Sequence, residues 1–365
     1  MSLAFLAAVL QTAASPEPLK EFLEHTRAKA GLPSICAGAI LDGKIVAVEA
    51  VGVRRLGSDE RVATDDPYHC GSITKSFTAA LFATYVQEGR LSWDAPLPTL
   101  LPNLAKGMDP AYRAVTPLHL MAHRSGLGGA SWPKDPPALF ATWNGTGPSP
   151  RADYVRLLLA PSPSHPVGTE YEYSNANYVT LAAIVERAGK EGWESLLRQR
   201  VLDPLGLRSA GYGPVGAEGQ TKGPWGHAWK EGKWTPVPPS PGADNAEILG
   251  PAGTLHMSVP DLLRWCAFQA DEGRSGGLLT PTSFAVLHHA PFGGEYAGGL
   301  IAAYRPWAGG FCFNHGGSNT LNDENMWILP AKRFGVVVAT NAMGPGVQDA
   351  VEAVTEEVIR RYCPK

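Results

Sequence analysis

The chain has 365 residues, room for one large domain or two medium ones with a substantial buried core. Its 31 Lys and Arg against 34 Asp and Glu leave a net charge of −3, without the basic excess that nucleic-acid binding draws on. Hydrophobic content of 44% with 18% charged residues excludes disorder as the main state, and 41 Gly with 32 Pro point to long ordered loops.

Residues 3–10 form an apolar run too short to span a bilayer, so no stable membrane span is expected. Thr12-Ala13-Ala14-Ser15 then gives a loose small-residue cleavage pattern, although no Lys or Arg precedes the run. A secretory signal remnant over 1–15 would place the protein in the periplasm or outside the cell; a frayed N-terminal helix would leave it cytoplasmic. Beyond Pro18, Leu19, Phe22 and Leu23 predict a helix over 19–30. Two β-type runs, 34–41 and 44–51, flank Asp42-Gly43, a strong hairpin signal. Over 72–88, Ile73, Phe77, Leu81 and Tyr85 recur every fourth residue and Gly89 follows, so an amphipathic helix beginning at a serine is expected. The stretch 124–166 is too rich in Pro and Gly for a core element and reads as a long ordered loop whose Trp132 and Trp143 would roof a cleft with apolar surface.

Helical patterns return at 152–159, 176–188 and 193–202, followed by a second loose stretch over 211–245. The last third reads as a helix over 259–269, short strands over 299–304 and 310–314, a strand pair over 325–329 and 334–341, and a closing helix over 347–362. No internal repeat is present. This order suggests one α/β domain built from both chain ends, 16–66 and 246–365, with a mostly helical domain over 67–245 inserted and the active site at their junction.

Three short motifs carry chemistry. In Gly71-Ser72-Ile73-Thr74-Lys75, Ser72 and Lys75 stand one helical turn apart on a shared face, so hydroxyl and amine can meet. A serine hydroxyl attacks well only when a base takes its proton, and a lysine serves as that base when desolvation lowers its pKa. Alone, the motif reads more readily as a serine helix cap followed by a solvated lysine. In Tyr173-Ser174-Asn175, Tyr173 can act as a general acid or base if a cation favours its phenolate, and the Asn175 amide can hold both a substrate carbonyl and the lysine. Without the first motif this is a loop ending in a helix cap. In Asn314-His315-Gly316-Gly317-Ser318, the glycines let a substrate approach backbone N–H groups at a strand end.

In this order and spacing the motifs resemble the serine β-lactamase and penicillin-binding-protein superfamily, and within it the class C β-lactamase-like branch, with Tyr-x-Asn second and His-Gly-Gly third. Supporting similarity runs through 118–127, Asp203-Pro204-Leu205-Gly206-Leu207, 250–255 and 335–341, so it covers nearly the whole chain beyond Pro18. The resemblance implies an α+β fold, an antiparallel β-sheet flanked by helices with an inserted mostly helical domain. It further implies Ser72 as the acylated nucleophile, Lys75 as its base partner, Tyr173 as proton shuttle, Asn175 as a positioning amide, and an oxyanion hole from the Ser72 and Ser318 backbone N–H groups. His315, Gly316, Gly317 and Ser318 would line the substrate. No metal and no cofactor are implied.

His315 stands where β-lactamases usually carry a lysine, which weakens a fixed anchor for a substrate carboxylate. Asp323 and Glu324 follow the third motif and are expected either beside the cleft, where they would disfavour anions, or in solvent at a strand start. The expected partner is a small ester, amide or peptide, with β-lactams in range. A carboxylesterase leads, followed by a D-alanyl-D-alanine carboxypeptidase or D-aminopeptidase, then a class C β-lactamase; a non-catalytic binder of penicillin or cell-wall peptide is the rival of another class. Gly273-Arg274-Ser275-Gly276-Gly277 spells a nucleophile elbow but follows a helix rather than a strand and reads as a surface turn. His119 and His123, four apart, lack the Glu of a zinc helix and are expected to be structural. The five cysteines cannot all pair and show no Cys-x-x-Cys spacing; Cys70 in particular is expected to be buried.

Overall fold

A computed structural model describes residues 17–128, 147–216 and 223–365; the leader-like segment, Trp132 and Trp143 lie outside the described residues. Helix α1 (Leu19–Ala30) precedes a hairpin of β1 (Ser34–Leu41) and β2 (Lys44–Gly52), turned at Asp42 and Gly43 with φ of +48° and +75°. Two successive positive φ values suit the right-handed twist of the strands, which is why Asp-Gly works there.

Strand β3 (Pro67–His69) runs into a 3-10 turn (Gly71–Ile73) and then α2 (Thr74–Gln87). The helical region continues with α3 (Leu97–Leu100), α4 (Pro117–Met121), α5 (Arg151–Leu158), α6 (Asn175–Gly189) and α7 (Trp193–Leu197), the last widening into a π-helical turn (Arg198–Leu202). The expected amphipathic pattern of α2 is overturned: every residue from Thr74 to Tyr85 is buried. Its other faces carry Ala and hydroxyl residues small enough for close packing against α6, and the hydroxyls satisfy themselves on carbonyls, as Thr78 does on Pro251 O at 2.7 Å. Within this region the fully buried Arg151 pairs with Glu186 at 2.7 Å and Glu194 at 2.6 Å, tying α5 to α6 and α7.

The stretch over 211–245 is more structured than its composition suggests. It holds β4 (Gly211–Tyr212) and a hairpin of β5 (His227–Lys230) and β6 (Lys233–Pro236), turned at Glu231 and Gly232 and packed through Trp229 on Trp234. Strands this short carry too few residues for a period-2 signal to stand out among flanking prolines.

Next come α8 (Gly250–Gly253), β7 (Leu255–Ser258), α9 (Val259–Asp271), α10 (Pro281–Leu287), β8 (Tyr296–Ala297), β9 (Leu300–Arg305), β10 (Gly310–Ser318), β11 (Asp323–Leu329), β12 (Phe334–Thr340), β13 (Ala342–Met343) and α11 (Val347–Tyr362). The main sheet is antiparallel throughout, in the order β2-β1-β12-β11-β10-β9-β8. In β12, Val336 and Val338 face α1 and α11, while Val337 and Ala339 face α9, which explains its unbroken apolar run. The fold class is therefore α+β, an antiparallel sheet between helices with a largely helical region alongside. Its strands come from 34–52 and 296–340, although β3 crosses the expected boundary at 67 by pairing with β7. Among the described residues no helix is long and apolar enough to cross a membrane.

Candidate active site

The turn between β3 and α2 is built for close approach. Cys70 N–H bonds Leu255 O at 2.8 Å, and Gly71 takes φ +48° with its α-carbon so near β10 that a Cβ would lie 2.2 Å from Ser318 N. Ser72 follows in the 3-10 turn, and Lys75 lies one turn on, fully buried, its Nζ 2.9 Å from Ser72 Oγ and donating to Ala252 O at 2.7 Å. Burial pulls the Lys75 amine well below its ordinary pKa, with no carboxylate among the described residues beside it to hold the proton. The lysine is thus biased toward a neutral amine facing the serine, the state a general base requires.

Tyr173 completes the group. Its ring lies 4.8 Å from Lys75 Nζ and its hydroxyl interacts with Ser72 and Tyr296; the residue stays 40% exposed, while desolvation at the hydroxyl end pushes its pKa up to about 12. Because the neighbouring lysine is itself desolvated, the condition for a cation-stabilised phenolate is not met, and the raised pKa biases Tyr173 toward a phenol able to donate a proton. Asn175 opens α6, with Ser174 as its side-chain cap, but does not hold the lysine: Ala252 O does so, and Asn175 Oδ1 is buried without a partner. That unpaired acceptor faces a cost of about 1–3 kcal/mol until something donates to it.

His315 is 5% exposed, with Nε2 2.8 Å from Tyr296 Oη and Nδ1 2.5 Å from Gly316 O. Burial, and secondarily the field of Lys75, lower its pKa to about 3, so it is neutral at physiological pH. The glycine-rich run is not the turn after a short strand; it continues β10 to Ser318, with His315 opposite Met326 and Gly317 opposite Glu324. Gly317 presses on the nucleophile turn, where a Cβ would lie 1.9 Å from Cys70 O and 3.1 Å from Ser72 N. This brings the Ser72 and Ser318 backbones together. Gly316 points the other way: it is exposed, a Cβ there would meet nothing within 4 Å, and it floors a hollow of about 370 Å³ against α11. Strand alternation is the reason, since residues 315 and 317 share one face and 316 the other.

The same alternation separates the two acidic residues. Asp323 lines the hollow behind the sheet, and Glu324 points inward at 0% exposure, its carboxyl against the Cys70 thiol. Neither borders the cleft nor faces solvent, so the expected bias against anions does not follow from them. Desolvation raises Asp323 to about 6 and Glu324 to about 8.

Several contributors have no motif of their own. His123, at φ +55°, accepts from Ser174 N–H at 3.1 Å and Asn177 Nδ2 at 3.0 Å, and its ring lies 4.4 Å from that of Tyr173, so it braces the tyrosine. His119 caps α4 through Thr116, and among the described residues no His, Cys, Asp and Glu group could hold a metal. Tyr296 lies in a two-residue strand that no periodicity marks. Cys70 is buried, and 273–277 is the turn after α9, where Ser275 bonds Asp271 rather than a histidine.

Residues 19–358 match the family described as Beta-lactamase. Penicillin-binding protein 4 of Amycolatopsis lactamdurans is 27% identical over 333 residues, covering 88% of this chain and 84% of the relative. The D-alanine carboxypeptidase AmpC of Burkholderia cenocepacia superposes with a TM-score of 0.71 at 21% identity, over 93% of this chain and 97% of that one. EstCE1, a hydrolase with promiscuous acyltransferase activity, superposes at 0.76 and 16% identity, again over 93% and 97%. At those identities the superpositions speak for the fold.

Proposed function

Because the chain belongs to the Beta-lactamase family of serine hydrolases, we propose that Ser72 forms an acyl-enzyme, that Lys75 and Tyr173 move its protons, and that the preferred substrate is a neutral carboxylic ester. The carrying observation is the 2.9 Å approach of a desolvated lysine amine to Ser72 Oγ. The Lys75 lone pair takes the hydroxyl proton as Oγ bonds the carbonyl carbon. The resulting oxyanion lies against the Ser72 and Ser318 N–H groups, whose donation strengthens as charge develops. Collapse breaks the bond to the leaving alcohol, which takes a proton from Tyr173, and Lys75 returns one to the tyrosine. Water then repeats the sequence on the acyl group, releasing the acid and restoring Ser72. Asn175 Oδ1, unpartnered in the absence of substrate, suits an N–H or O–H on the acyl side.

Preference for a neutral ester follows from His315. Held neutral, with Nδ1 donating to Gly316 O and Nε2 on the Tyr296 hydroxyl, it offers neither a charge nor a free N–H to a substrate carboxylate. A D-alanyl-D-alanine carboxypeptidase or D-aminopeptidase is the second reading, favoured by the similarity to the Burkholderia carboxypeptidase. Class C β-lactamase and non-catalytic penicillin binding rank behind it, since a binder has no need of a desolvated base on its serine. Initial rates on p-nitrophenyl butyrate, a D-alanyl-D-alanine peptide and nitrocefin separate these readings. We expect kcat/KM on the ester to exceed the other two by roughly 100-fold or more. The reverse order would overturn the ester preference and leave the serine chemistry; turnover of none would overturn both.

A further inference from the structure

Outside the three motifs, a buried polar chain joins the two backbone segments that would form the oxyanion hole. His69 Nδ1 accepts the Gly71 N–H at 3.1 Å, which fixes the ring proton on Nε2. Nε2 donates to Asp244, 2.8 Å from Oδ1 and 3.0 Å from Oδ2, with both side chains about 99% buried or more. Asp244 Oδ1 also accepts from Asn319 Nδ2 at 3.0 Å and from Asn245 N–H at 2.7 Å. Asn319 Oδ1 in turn gathers the N–H groups of Leu321 and Asn322, clamping the turn that follows Ser318. Next door, Asn245 Nδ2 donates to Gly253 O at 2.8 Å, one residue beyond the carbonyl that holds Lys75. Gly71 precedes Ser72 and Asn319 follows Ser318, so one carboxylate ties down both flanks of the proposed hole.

We infer that Asp244 is a positioning residue for catalysis: through His69 and Asn319 it sets the spacing and direction of the Ser72 and Ser318 N–H donors. This rests on the proposed acyl-enzyme chemistry at Ser72. The segment 240–247 is thereby a keystone of the active site, although it carries no reacting group. A carboxylate is required because it accepts from both neighbours. An amide in its place presents an NH₂ to one of them; facing His69, it would turn the imidazole to its other tautomer and set an N–H against the N–H of Gly71.

Asp244→Asn tests this, with p-nitrophenyl butyrate turnover and phosphonate labelling of the parent establishing the underlying chemistry first. We expect kcat to fall roughly 10- to 100-fold with KM within threefold, and phosphonate inactivation to slow by the same factor, because a misdirected hole harms the transition state and not substrate binding. Asn at position 69 can accept the Gly71 N–H as an Asx turn without needing a partner. His69→Asn added to Asp244→Asn should therefore recover at least threefold of the lost kcat, a gain that a purely structural role would not give. If Asp244→Asn does not fold, Asn319→Ala, which leaves the His69–Asp244 pair intact, should still lower kcat at least threefold at constant KM. An active parent with a kcat unchanged in the folded variant, or a double variant no better than the single one, overturns the inference and leaves the function standing. An inactive parent overturns the function itself.

Discussion

Lys75→Met lowers kcat on p-nitrophenyl butyrate by roughly 10²–10⁴-fold with KM changed only a few-fold, the range expected when a general base is removed from a positioned nucleophile. Methionine keeps most of the volume of the buried stem, so the loss is chemical rather than a cavity effect. The variant also strands Ala252 O, which accepts from the lysine at 2.7 Å, and an unsatisfied buried acceptor costs about 1–3 kcal/mol. A modest drop in thermal midpoint is therefore expected beside a far larger drop in rate. Tyr173 cannot substitute as base, because its phenol titrates near 12. Stopped-flow acylation rates and steady-state kinetics on the same preparation read the effect; a kcat within tenfold of the parent would remove Lys75 from the role.

The second large effect concerns stability. Glu324 is fully buried against the Cys70 thiol, and desolvation pushes its pKa up to about 8, whereas in the unfolded chain it ionises near 4.5. Between those values the folded state binds one proton more than the unfolded state, so stability falls as pH rises; it is fully present below 4.5 and the loss is complete above 8. At about 1.4 kcal/mol per unit the window amounts to roughly 5 kcal/mol. Glu324→Gln deletes this slope. Denaturant unfolding of both proteins at pH 5 and pH 8 should show the variant gaining several kcal/mol relative to the parent between the two conditions. The comparison cancels any constant cost of burying the amide, and Asp323, whose carboxyl is raised to about 6 in the parent, is retained in both proteins. Parallel pH dependences would contradict a buried neutral Glu324.

Much of the fold was legible where local chemistry is decisive. Asp42-Gly43 announces its hairpin because few residues accept two positive φ values, and 347–362 shows its helical period because only one face is buried. The three motifs identified the family, and the structure brings Ser72, Lys75, Tyr173 and His315 into one cluster. What escaped depends on contacts distant in sequence. Helix α2 looks amphipathic because its alanines and threonines give no hydrophobic signal, yet it is enclosed on all sides. Asp323 and Glu324 look like cleft-side or solvated carboxylates at a strand start, but both are buried, paired opposite Ser318 and Gly317. Gly316 and Gly317 look alike as letters; the pleat gives them opposite faces, one against Ser72 and one against a hollow behind the sheet. Asp244, 175 positions from the histidine it holds, sits in a Pro- and Gly-rich stretch where no pattern marks it.

The most direct test of the central claim is the mass and location of a covalent adduct. Incubation with a serine-reactive alkyl phosphonate, followed by intact mass and peptide mapping, should add one phosphonyl group at Ser72, abolish ester turnover in proportion to labelling, and add none to Ser72→Ala. An adduct at another residue, or continued turnover by Ser72→Ala, would contradict the account.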